Sequence, residues 1–155
     1  MAGLSLEIDS HDLRRLNKRI ETLLHDVLEM HSVYGQAAEY MKRSTENRIL
    51  RTKTSPDGER WEALRDVTVN LKGNDNILVE YGDLSKSIKV ADVSNDGFEL
   101  IADAKHASFM QEGVKRTRGM IKDKSIPARP FMGFSDENKR RIAIMIRDYL
   151  AHGGD

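Results

Sequence analysis

Five histidines, 25 acidic side chains and a scatter of serines are the groups in this chain that could do chemistry. Their spacing argues against most of it. His25 and His31 lie six positions apart, which puts them on roughly opposite faces of a helix, so one helix could not offer both to a metal. His11, His106 and His152 are far apart in sequence. There is no cysteine, which removes disulfide scaffolds, thiolate zinc sites, thiol nucleophiles and thiolate-ligated clusters. No phosphate-cradling or dinucleotide glycine loop is present, no G-x-S-x-G elbow and no H-E-x-x-H pair. Most carboxylates stand opposite apolar stripes or beside turns, where they solvate a face. No serine has a histidine at a known local spacing. The expectation is therefore no catalytic residue, no cofactor and no metal.

The strongest electrostatic feature is a basic stretch, Lys115, Arg116, Arg118, Lys122 and Lys124, within residues 114–125. It could meet phosphates or an acidic protein surface. No aromatic residue interleaves it, so base stacking is not indicated. Arg129 stands between Pro127 and Pro130, and two prolines make a stiff extended segment. A guanidinium held on such a strut could pair with a carboxylate inside the subunit or across an interface.

The elements that must position these groups follow from periodicity. Ser10 can cap a helix in which Leu13, Leu16, Ile20, Leu23, Leu24, Val27, Met30 and Tyr34 recur at three- and four-residue steps. The phase continues through Ala37, Ala38, Met41, Thr45 and Ile49, with Gly35 at the join. This predicts two helices, about 10–32 and 34–52. Ser55-Pro56-Asp57-Gly58 is a turn. Trp61, Leu64 and Val67 suggest a helical turn, and Trp61 reads as a core anchor. A short apolar element spans 77–84 around Gly82. Residues 87–93 and 98–103 alternate on either side of Asn95-Asp96-Gly97, which predicts an antiparallel hairpin. His106 to Glu112 could form helical turns stopped by Gly113. Ser135 caps a final helix whose apolar residues include Ile142, Met145 and Leu150. Gly113 and Gly82 are candidates for positive φ or close backbone approach.

The chain has 155 residues, about one domain, and 25 basic residues balance its 25 acidic ones. Zero net charge argues against a globally basic nucleic-acid binder. No stretch approaches the ~20 apolar residues of a membrane span, and the first residues lack an export signal, so synthesis in the cytoplasm is expected. The 39% hydrophobic content is low for an isolated globule and fits a protein that completes its core against neighbours.

Several motifs recur in one order. Pro56-Asp57-Gly58-x-x-Trp61-x-x-Leu64 comes first, then Gly82-x-Leu84-x-x-Ser87-Ile88, the hairpin, and Ala107-x-x-Met110-Gln111-x-Gly113. Ile126-Pro127-Ala128-Arg129-Pro130-Phe131-Met132-Gly133-Phe134-Ser135 closes the series before the last helix. This order resembles the phage virion morphogenesis family, the tail-completion proteins of Mu-like and other contractile-tailed phages, over about residues 4–150. Tyr81 and His106 depart from its usual residues, and the 114–125 region is variable within it.

The resemblance implies a structural virion protein at the head-proximal end of the tail, made in the bacterial cytoplasm. It implies a ring-forming homo-oligomer, plausibly a hexamer, with tail tube, sheath or tail terminator proteins on one side and head-completion or connector proteins on the other. DNA would be met only in passage, and no membrane is involved. The expected fold is α+β, one domain over 1–155, with long N-terminal helices and a C-terminal helix on a small antiparallel sheet. The sheet would combine the 87–103 hairpin with strand-like parts of 113–131. Phe131 and Phe134 would bury against the sheet or the long helix, and Arg129 with the 115–124 loop would serve interfaces. The rival reading is a small DNA-binding module using the basic loop 115–124. A hydrolase with scattered acids is a third class, without motif support.

Overall fold

A computed structural model describes residues 10–79, 81–116 and 125–153. Helix α1 spans Ser10–Leu28 and α2 spans His31–Asn47. One wider turn, Arg48–Thr52, extends α2. The join falls at Glu29-Met30, not at Gly35, which lies inside α2 with nothing within 4 Å of the Cβ it lacks. Two anchors hold the true join. Met30 is buried, and the Tyr149 hydroxyl donates to the Glu29 carbonyl at 2.7 Å.

The two helices differ in what they cover. In α2 the small Ala37 and Ala38, with Val33 and Met41, are buried and let the helix lie close on the hairpin. In α1 the expected core stripe stands open. Leu13, Leu16, Ile20, Leu23, Leu24, Val27 and Leu28 are each 38–69% exposed. Among its described side chains only Asp26, on the side toward the last helix, is covered, as is Met30 just beyond its end.

After the Pro56 turn, residues 61–65 form no regular element, so the helical turn expected from Trp61 begins only at α3, Asp66–Lys72. The 77–84 element is not a strand. It leads through Gly82 (φ +77°) into α4, Asp83–Lys86. Strands β1, Ile88–Val93, and β2, Phe98–Ala102, form the expected hairpin, with a bulge between Val90 and Asp92. Asn95 at its tip accepts from the His31 backbone N–H at 2.8 Å, which caps α2 from 64 residues away. Helix α5, Ala107–Glu112, ends at Gly113.

The sheet has two strands among the described residues. From the 113–131 region the described residues contribute one isolated antiparallel bridge, Val114 with Ile126. Its prolines have no N–H to continue a ladder. Helix α6, Asp136–His152, opens with a full capping box in which Ser135 and Asn138 satisfy each other's backbone. The fold is α+β, as expected. Its core gathers Ile49, Trp61, Leu84, Ile88, Ala107 and Phe131.

Candidate functional site

The proline strut, residues 126–133, runs through the core and organises the motifs of the sequence. A segment that cannot join a sheet must find other partners for its backbone. Here side chains supply them. The Trp61 indole N–H donates to the Pro130 carbonyl at 3.0 Å. The Gln111 amide oxygen accepts from the N–H groups of Phe131 and Met132, and its nitrogen donates to the Met132 carbonyl. Arg48 donates to the carbonyls of Phe131 at 2.6 Å and Gly133 at 3.3 Å. The Arg129 N–H donates to the Met110 carbonyl at 2.7 Å.

Arg129 itself is 5% exposed, so the structure places it inside the subunit, not at an interface. Among the described residues its side-chain hydrogen bonds go to carbonyls, not to a carboxylate. Its Nε and Nη2 donate to the Glu62 carbonyl at 3.1 and 2.9 Å, and Nη2 reaches the Ala63 carbonyl at 3.4 Å. The reason lies in the 61–65 stretch, which belongs to no helix or strand and leaves its carbonyls without a ladder. The guanidinium fork matches two adjacent carbonyls. Burial holds its pKa below the ordinary arginine value, with Glu62 opposing.

Other motif residues are structural. Pro56, Asp57 and Gly58 form a turn in which Gly58 (φ +91°) donates to the Ser55 carbonyl and Asp57 accepts from the Glu59 N–H. Pro56 packs beneath Gly133, where an added Cβ would lie 2.8 Å from its Cγ. Thus the turn motif and the strut motif touch. Leu84 and Phe131 are 2% and 1% exposed, as core anchors must be. Phe134 is instead 51% exposed, its ring edge-on to Phe98 at 6.4 Å. Only the first of the two strut phenylalanines enters the core.

Replacing Trp61 with phenylalanine tests the strut's first tie. The ring fits but the indole N–H is lost, leaving the Pro130 carbonyl without that donor. The expected loss is about 1–2 kcal/mol, read from the urea midpoint.

Three functional side chains escaped the sequence reading. Arg48, Gln111 and Asn138 form the polar frame around the strut. Asn138 is 2% exposed and uses both ends of its amide. It accepts from Arg48 Nη2 and the Ser135 N–H, and it donates to Tyr40 Oη and Ser44 Oγ. Desolvation holds the Arg48 pKa down, with Tyr40 opposing. A Ser-x-x-Asn at a helix start is a capping signal, but it cannot announce four partners.

Of the basic stretch, Lys115 and Arg116 are exposed beside the Val114–Ile126 bridge. Arg118, Lys122 and Lys124 lie outside the described residues. Beside the strut is a groove of about 250 Å³, lined by Ile126, Pro127, Leu64, Leu78, Tyr81 and Met110 among others. Val67, Leu71, Tyr81 and Phe109 are exposed large apolar side chains in the segments that frame it. Among the described residues no three His, Asp or Glu side chains gather to hold a metal, and no helix is long and apolar enough to cross a membrane.

The strut is held by side chains and flanked by exposed apolar and basic residues. The chain belongs to the phage virion morphogenesis family, which matches it over residues 11–151. Comparison with curated proteins and with solved structures finds no match.

Proposed function

We propose that this protein completes the head-proximal end of a phage tail and joins it to the head, as one subunit of a ring. The family match over residues 11–151 carries this reading. The surface supports it in kind. An apolar area is open in the neighbourhood of the strut groove, apart from the α1 stripe. A ring subunit presents such a face to its neighbour, besides those for tail and head. The polar frame around the strut is used up in holding the fold, so the work is binding, not turnover. Tail tube, sheath or terminator proteins would meet one face, and head-completion or connector proteins the other. Lys115 and Arg116 would lie at a neighbouring acidic surface or near DNA in passage.

The test is to add the purified protein to assembled tails that lack it, then measure bound stoichiometry and head attachment. Six copies or another closed ring at the tail end, with heads now joining, is the expected result. A protein that ignores tails, or binds along them without order, overturns the reading. Charge reversal at Lys115 and Arg116 is expected to reduce joining while leaving the fold intact.

A further inference from the structure

We infer that the leucine stripe of α1 is the seat of a second copy of this chain, with the two α1 helices antiparallel. The inference does not rest on the neck role.

Geometry comes first. Helix α1 turns Asp26 toward α6, and its stripe from Leu13 to Leu28 faces away from the subunit. Leu13, Leu16, Ile20, Leu23 and Val27 follow the three-four spacing of a two-helix seam, with Leu24 and Leu28 widening it. Over 19 residues the helix is about 28 Å long. The seven open side chains expose roughly 600 Å² together, close to the ~800 Å² per partner of a standard interface.

Charge names the occupant. Between Leu13 and Ile20 the helix carries Arg14, Arg15, Lys18 and Arg19. Between Ile20 and Met30 it carries Glu21, Asp26 and Glu29, with no Lys or Arg. A parallel partner would set like against like. An antiparallel copy sets the basic half of each helix on the acidic half of the other.

A symmetric pair closes at two copies. The α1 contact therefore holds the free subunit as a dimer and is distinct from any head-to-tail ring contact.

Light scattering on the full chain reads the outcome. The expected mass is twice 17.6 kDa at micromolar concentration. Leu16→Glu with Leu24→Glu is expected to halve it. Both positions are exposed, so far-UV circular dichroism stays native. The absence of cysteine makes single introduced thiols unambiguous reporters of direction. Ile20→Cys is expected to cross-link to itself, and Leu13→Cys to Val27→Cys but not to itself. A monomer at every concentration overturns the inference. So does an oligomer whose mass the double variant leaves unchanged, and so does self-linking of Leu13→Cys. Failure of tail binding with an intact α1 dimer overturns the neck reading alone.

Discussion

Gly113→Ala is expected to destabilise the protein by about 3 kcal/mol or more, and to lower its yield of folded chain. Two costs combine. The backbone here has φ +75° and ψ 173°, a region that side chains strongly disfavour, at roughly 1–3 kcal/mol. The added Cβ would also stand 2.7 Å from the Ala128 nitrogen and 2.8 Å from the Ile126 carbonyl oxygen. Those are backbone atoms of the strut, and they cannot swing aside as a side chain would. Gly73→Ala is the matched control. Its φ is also +75°, but nothing lies within 4 Å of the new atom. It should cost only about 1–2 kcal/mol. The difference between the two urea midpoints reports the contact of α5 with the strut together with the less favourable ψ of Gly113, 173° against 7° at Gly73. Equal losses would mean that the strut does not rest on Gly113.

Arg48→Leu has the second large effect, again about 3 kcal/mol. Two terms oppose each other. Removing a buried guanidinium recovers its desolvation cost. Against this, the carbonyls of Phe131 and Gly133 and the Asn138 amide oxygen lose their donor at once. Each buried acceptor left unpaired costs roughly 1–3 kcal/mol, so the loss of partners wins. Arg48→Lys should rescue little. A single ammonium cannot span three acceptors that the planar fork reaches from two nitrogens. An unchanged denaturant slope with a lower midpoint is the expected signature. A variant within 1 kcal/mol of the parent would show that the Arg48 frame is dispensable.

What the sequence disclosed, and what it hid, follows from the range of the forces involved. The β1–β2 hairpin, the Gly113 stop on α5 and the Ser135 cap of α6 depend on residues within a few positions of one another, so they were legible. The Trp61 and Phe131 anchors were legible from size and type. Arg129 was misjudged because its partners are carbonyls of Glu62 and Ala63, 67 and 66 residues away. Main-chain oxygens carry no residue-specific signal. Arg48 and Asn138 were hidden for the same reason, being 90 positions apart. The α1 stripe shows a different limit. Periodicity tells which face of a helix is apolar, but not whether its own subunit or another chain covers it.

The bridge between Val114 and Ile126 has a consequence for how this protein can diversify. Two backbone hydrogen bonds, 2.9 and 2.7 Å, clamp the base of the intervening segment. Behind the clamp stand Gly113 and the strut. A chain that starts and ends at these two points pays about 0.6 kcal/mol of closure entropy for each doubling of its length, so the clamp sets a low cost for lengthening it.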